Sequence, residues 1–150
     1  MNAKTALSLL LLSSSAACGG ASEDAPSESA PADAVEQAPL SVTIVAPRQE
    51  EILEEADVVV WLESTVPIVP AGDMTPGTGH HHLYLDADLG DMSAPIPTVP
   101  GSIVHMGNAA REYVFENVAS GPHRIIAVVA DGAHVPLQPL VADTVRFVVE

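Results

Sequence analysis

The chain has little of several residue types, and each shortage excludes something. It contains 1 cysteine, so no disulfide can form within it. Lys and Arg number 5 against 20 Asp and Glu, which gives a formal net charge of −15. A surface with so few bases cannot neutralise a phosphate backbone, and we therefore expect no nucleic acid partner.

Catalytic motifs are also missing from the sequence. None of the serines at positions 64, 93, 102 and 120 lies in the G-x-S-x-G pattern that exposes a nucleophile on a tight turn. No stretch has helical periodicity, so no glycine-rich phosphate loop can precede a helix. These absences disfavour an enzyme.

No hydrophobic run is long enough to span a bilayer, which takes about 20 apolar residues. The apolar stretch 5–12 follows Lys4 and leads into small residues, as in an export signal over residues 1–17. The end of this stretch, Ser15-Ala16-Ala17-Cys18, resembles the lipobox of bacterial lipoproteins and predicts lipidation of Cys18. Lipoboxes usually carry Leu where Ser15 stands, so cleavage by the ordinary signal peptidase is the alternative.

Residues 18–39 are rich in Ala, Ser, Pro and acids and hold few aliphatic side chains. Such a segment cannot bury enough apolar surface to offset its ordering entropy, which predicts a disordered tether. We therefore expect the remaining residues, 40–150, to form one domain anchored to a membrane of the bacterial envelope through the lipid. The domain would face the periplasm or the cell surface. Without the lipid, it would be soluble in the periplasm or secreted.

From residue 40 onward short β-rich runs alternate with turn signals. We predict strands over residues 40–46, 52–53, 57–63, 80–86, 111–117, 123–130 and 143–149, and a long proline-punctuated loop over residues 88–101. Residues 124–130 are apolar on both faces, which is typical of a central strand. About seven strands without a helix predict an all-β fold, an immunoglobulin-like antiparallel β-sandwich with Trp61 in its core.

The most distinctive stretch is Gly79-His80-His81-His82-Leu83-Tyr84-Leu85-Asp86. Side chains alternate across a strand, so His80 and His82 share one face with Tyr84 and Asp86, and His81 faces the other way. Two imidazoles on one face have the geometry to chelate a metal ion.

The strand directions predict which other histidines join this pair. His105 precedes one predicted strand and His134 follows another, so both should lie beside His80 and His82, with Asp131 nearby. His123, at the opposite end of its strand, should lie far away. We therefore predict a metal site of His80, His82, His105 and His134, supported by His81 and Asp131, that binds copper or zinc. Met106 belongs to the same end of the domain and would favour copper if it were a ligand. Met74, Met92 and Met106 are better explained as gap-filling or surface residues.

A structural role is the alternative for the histidines. Imidazoles at strand ends often hydrogen-bond loop carbonyls, and such a network would hold the loop of residues 88–101 in place. The protein would then be a non-catalytic structural or interaction module. Protein partners are not indicated by any motif.

Five short motifs occur together in this order: G-H-H-H-L-Y-L-D from Gly79, A-P-I-P from Ala94, H-M-G from His105, G-P-H from Gly121 and D-G-A-H-V-P from Asp131. In combination they resemble a family of small exported bacterial proteins known only as a domain of unknown function, with an HHHL-type strand and a later His-hydrophobic-Pro loop. The resemblance covers residues 40–150 and implies export and a β-sandwich. It departs at His105-Met106-Gly107-Asn108, where such proteins usually have His-Phe-Gly-Gly-Gly. It implies no activity, so function has to be argued from residues.

Overall fold

The structure is a computed structural model, and it describes residues 38–150. The predicted signal peptide, Cys18 and all but the last two residues of the tether lie outside the described residues. Within residues 38–150 no helix is long and apolar enough to cross a membrane.

Eight strands form the described part of the chain: β1 (Val42–Ala46), β2 (Glu51–Leu53), β3 (Val58–Ser64), β4 (His80–Leu85), β5 (Ile103–Met106), β6 (Glu112–Phe115), β7 (Gly121–Ala130) and β8 (Ala142–Val149). They make a three-stranded sheet in the order β1-β3-β6 and a five-stranded sheet in the order β2-β8-β7-β4-β5. The predicted all-β sandwich is therefore confirmed.

The main core lies between the two sheets. The first sheet contributes alternate residues of β3, Val58, Val60 and Leu62, and the second sheet contributes Ile125 and Val129 of β7 in the same cluster. All five side chains are fully buried. Alternation of apolar and exposed positions along β3 is what turns one side of this sheet inward.

A second apolar cluster covers the outer face of the five-stranded sheet. It contains Tyr84, Ile96, Ile103, Ile126, Val128 and Ala130. Ile96 comes from the long loop between β4 and β5. The N–H of Ile96 donates a 2.9 Å hydrogen bond to the carbonyl of His134, and this bond fixes the position of the loop. As predicted, β7 is a central strand buried on both faces, and so is most of its neighbour β4.

Three expectations about the strands need correction. The strands number eight because residues 103–106 pair with β4, which places His105 inside a strand rather than before one. The pairing of β2 with β8 is parallel, so the sandwich is not wholly antiparallel. Strand β4 ends at Leu85 and does not include Asp86, whose backbone has a positive φ of 53°.

Trp61 is not a core residue, and that prediction was wrong. It remains 43% exposed on the outer face of the three-stranded sheet, and Val59 on the same face is also exposed. The alternation of β3 decides this outcome, because Val60 and Leu62 occupy the inward positions on either side of Trp61.

Candidate metal site

Strand β4 presents two imidazoles on the outer face of the five-stranded sheet. His80 pairs with Ala130 and His82 with Val128 of β7, two residues of the outer apolar cluster. Both histidines are fully buried. Their side chains share a face because they are two residues apart on a regular strand.

The neighbouring strand and the turn after β7 supply two more imidazoles. His105 of β5 lies directly opposite His82 in the β4–β5 register. His134 lies in the turn after β7 and has a left-handed backbone with φ of 68°. This turn is held by Asp131, whose Oδ1 accepts hydrogen bonds from the N–H groups of Ala133 and Val135, each at 2.9 Å.

The four rings converge on one point. Each of His80, His82, His105 and His134 offers a ring nitrogen, and these nitrogens all lie within 4.8 Å of one another. Nε2 of His80 is 3.2 Å from Nδ1 of His134 and 3.0 Å from Nε2 of His82. The structure thus brings the four predicted histidines together in one cluster that could hold a metal ion.

Burial keeps the rings of His80 and His82 neutral. Desolvation, followed by the nearby imidazoles, lowers the pKa of His80 to about 4 and that of His82 to about 3. Desolvation also lowers the pKa of His105, with His134 as the second cause. At neutral pH these rings carry lone pairs rather than positive charge, which is the form that binds a metal.

The hydrogen bonds of the four rings differ from those of a network that anchors a loop. Within residues 38–150 their side-chain hydrogen bonds are the two contacts between rings, His80 with His134 and His80 with His82. Nδ1 of His80, Nδ1 of His82 and Nε2 of His105 are buried with no hydrogen-bond partner in that range. The link to the 88–101 loop uses the backbone carbonyl of His134 and not its ring.

Two glycines make room for the site, and sequence reasoning did not single them out. A Cβ on Gly107 would lie 2.4 Å from Cε1 and 2.7 Å from Nε2 of the His105 ring. A Cβ on Gly132 would lie 2.2 Å from the carbonyl oxygen of Asp73, where the 71–74 segment crosses the His134 turn. Gly107 lies in the H-M-G motif and Gly132 in the D-G-A-H motif, each two residues from a histidine of the cluster. This closeness to His105 and His134 is the signal by which the sequence could have shown them.

His81 faces the main core, on the side of β4 opposite to His80 and His82. Its Nδ1 donates a hydrogen bond to the carbonyl of Ala110 at 3.2 Å, and its Nε2 is buried with no partner among the described residues. It therefore ties β4 to the segment before β6. Its register partner Met106 is also in the main core, so the Met106 sulfur lies on the other side of the sheet from the four rings.

His123 is at the opposite end of β7 and takes no part in the site, as the strand directions predicted. Its Nδ1 is 2.7 Å from Oδ2 of Asp86 and its Nε2 is 2.7 Å from the carbonyl oxygen of Ala119. Both neighbours are acceptors, so both nitrogens donate when the ring is protonated. Burial lowers the pKa of His123, but these two hydrogen bonds outweigh it and the net pKa is raised.

Comparisons with known proteins add a family and a distant structural likeness. Residues 59–150 match the family model described as "Domain of unknown function (DUF4399)". A search of curated proteins found no match. Among solved structures, the fibronectin(III)-like modules of Clostridium thermocellum CbhA align at 15% identity over 73% of this chain and 96% of that chain, with a TM-score of 0.44. The fold assignment rests on the two sheets themselves and not on this likeness.

Proposed function

The chain belongs to the family described as Domain of unknown function (DUF4399), and we propose that it is an envelope protein that binds a transition-metal ion, zinc or copper, between His80, His82, His105 and His134. One observation carries the proposal: four ring nitrogens from three separate segments lie within 4.8 Å of one another. Imidazole nitrogen is a common ligand of both metals.

The contacts of the four rings support a metal role. Nε2 of His80, Nε2 of His82 and Nδ1 of His134 face one another rather than carbonyl oxygens. Rings that served only as hydrogen-bonding groups would be expected to meet carbonyls, as the His81 ring does. A cation at the centre would instead use the converging lone pairs directly.

The two contacts between rings favour one alternative, a purely structural network. In that case the cluster would stabilise the outer face of the five-stranded sheet through the hydrogen-bond contacts of the His80 ring with the rings of His82 and His134. Added zinc or copper would then leave the melting temperature of the protein unchanged. A metal-binding site predicts a rise, because an ion that binds only the folded state stabilises it by mass action.

Titration calorimetry of zinc and copper into untagged, metal-free protein tests the proposal. We expect binding in the wild type, strong weakening in His82→Ala, and nearly unchanged affinity in His123→Ala, which removes an imidazole from the other end of β7. Equal losses in both variants would contradict this assignment of ligands. No binding in the wild type would leave the structural network as the better account.

The envelope location is part of the proposal and is supported by the sequence alone. The stretch Ser15-Ala16-Ala17-Cys18 at the end of an apolar segment suits attachment of a lipid to Cys18. We expect Cys18→Ser to move the protein from the membrane fraction to the soluble fraction of the cell. Mass spectrometry that finds an unmodified mature terminus at another residue would contradict lipidation.

A further inference from the structure

We infer that the site is a closed tetrahedral centre for Zn²⁺, in which four imidazole nitrogens fill the coordination sphere and no position remains for a substrate. This inference rests on the proposed metal binding and adds the metal, its geometry and the consequence that the bound ion is held rather than used for catalysis. Structural zinc sites have four protein ligands, whereas catalytic ones keep a position open.

The shape of the cluster comes from the distances between ring centroids. The six separations among the four rings are 4.9, 4.9, 5.0, 5.1, 5.7 and 4.6 Å. Four points with six nearly equal separations form a tetrahedron. In a square, the two diagonals would be about 1.4 times the sides, as the planar geometry of Cu²⁺ and Ni²⁺ requires. The longest separation here is only 5.7/4.6, or about 1.2 times, the shortest.

The size of the tetrahedron also fits zinc. With a Zn–N bond of about 2.0 Å and roughly 1.1 Å from a ring nitrogen to its centroid, each centroid would lie about 3.1 Å from the ion and the centroids about 5.1 Å apart. The mean of the six observed separations is 30.2/6, or about 5.0 Å. The observed spacing of the rings is therefore the spacing that a tetrahedral zinc centre requires.

The types of side chain favour Zn²⁺ over Cu⁺. Soft thioether sulfur is the ligand that selects Cu⁺, and Met106, the methionine nearest in sequence to a ligand, is buried in the main core on the far side of the sheet. Among the His, Cys, Asp and Glu side chains of residues 38–150, the candidate ligands of the cluster are imidazoles alone. Neutral imidazoles in a tetrahedral array suit zinc, which has no geometric preference of its own to oppose the protein.

Exposure indicates how the ion would enter. His80 and His82 are fully buried, whereas His105 and His134 are partly exposed. The ion would therefore arrive from the side of His105 and the His134 turn. Substituting His134 should remove one ligand while leaving the three that stand on strands.

X-ray absorption of the full-length, detergent-solubilised, untagged protein loaded with one equivalent of Zn²⁺ tests this inference, with the visible spectrum of the Co²⁺ form as a second measure of geometry. We expect four nitrogen neighbours at about 2.0 Å and no oxygen. In His134→Gly, which keeps the left-handed turn accessible, we expect three nitrogens and one water. His123→Ala, the matched control, should give the wild-type spectrum.

Each outcome separates this inference from the proposed function. Four nitrogens in the wild type and three in His134→Gly support a closed tetrahedral centre. Zinc that binds with a water ligand in the wild type, or a protein that binds Cu²⁺ with a tetragonal signal and rejects Zn²⁺, would overturn the closed zinc centre and leave metal binding intact. A wild type that binds none of these ions would overturn both.

Discussion

The ring of His105 occupies the space that a side chain on Gly107 would need. A Cβ at Gly107 would also lie 3.2 Å from Cβ of Ala71, so the new methyl group is crowded on a second side. The easiest response is rotation of the His105 ring, which is a side-chain end rather than backbone. That rotation would withdraw one nitrogen from the cluster.

We therefore predict that Gly107→Ala weakens metal binding by roughly ten- to a hundred-fold, the usual effect of disturbing a group that orients a ligand. The fold should be retained. Gly90→Ala is the matched control because a Cβ there meets nothing within 4 Å. Titration calorimetry with zinc measures both. Equal affinities in the two variants would show that the His105 ring does not need its present position.

The buried imidazoles make stability depend on pH. His80 and His82 have folded pKa values of about 4 and about 3, while an unfolded histidine has a pKa of about 6.5. Between these values the unfolded chain binds protons that the folded chain does not. Unfolding then becomes easier as pH falls from about 6.5 to about 4, by up to about 1.4 kcal/mol per pH unit for each group.

We expect the melting temperature of the metal-free protein to fall steeply over that pH window, and His82→Leu to make the fall shallower because one titrating group is gone. His123 affects the pH dependence of stability in the opposite direction. Its pKa is raised, so its contribution is complete below about pH 6.5 and is lost as pH rises through the folded value. Thermal unfolding of the wild type and of His82→Leu, followed at several pH values with a metal chelator present, measures the steepness of the fall. Equal slopes for wild type and His82→Leu would contradict a neutral, buried His82.

At the scale of elements, the two-residue alternation of side chains along a strand is what predicts the site from the sequence. His80 and His82 were placed on one face by their spacing, and β4 does run antiparallel to β7. The position of His105 within β5 was not predictable, because a four-residue strand after a proline-rich loop has too short a pattern. Burial of the outer face was predicted for β7, but its cover by the loop of residues 88–101 was not. Ile96 is the one buried apolar residue of that loop in this cluster, and Leu89 packs beside it only partly buried.

The turn after β7 leads to another prediction. Asp131 does not contact the four rings by hydrogen bonding, but its carboxylate accepts from the N–H groups of Ala133 and Val135 and shapes the turn that presents His134. We expect Asp131→Ala to weaken zinc binding about ten-fold. Asp131→Asn keeps an oxygen acceptor and should restore most of the affinity. Calorimetry compares the two. An Asn variant as weak as the Ala variant would indicate that the charge, rather than the turn, is what matters.

At the scale of the whole molecule, the alternation of apolar and polar residues predicted the strands. It did not predict which face of the three-stranded sheet carries Trp61. Trp61 and Val59 lie on the outer face of the three-stranded sheet because Val60 and Leu62 take the inward positions. No local pattern distinguishes a tryptophan that faces the core from one that faces outward. The parallel pairing of β2 with β8 likewise depends on a contact between segments almost 100 residues apart, which no short motif records.

The described domain contains its own core, and this supports a prediction about the chain that precedes it. Both sheets begin after residue 41, and the main core draws on β1, β3, β7 and β8. A fragment of residues 40–150 loses one described hydrogen bond, from the Thr65 hydroxyl to the carbonyl of Pro39. This bond is exposed and contributes at most about 1 kcal/mol. The Ser41 N–H still donates to Oγ1 of Thr65 at 2.8 Å, so the start of β1 stays attached to the end of β3.

We therefore expect the 40–150 fragment to unfold in one cooperative thermal transition and to bind the same single equivalent of zinc as the full-length protein, since all four ligands and the Asp131 turn are within it. Differential scanning calorimetry with and without zinc measures both properties, and His82→Ala in the same fragment is the control for specific stabilisation by the ion. A fragment that melts without cooperativity would mean that residues 1–39 contribute to folding. A fragment that folds but does not bind zinc, although the full chain does, would place part of the metal site outside the four histidines.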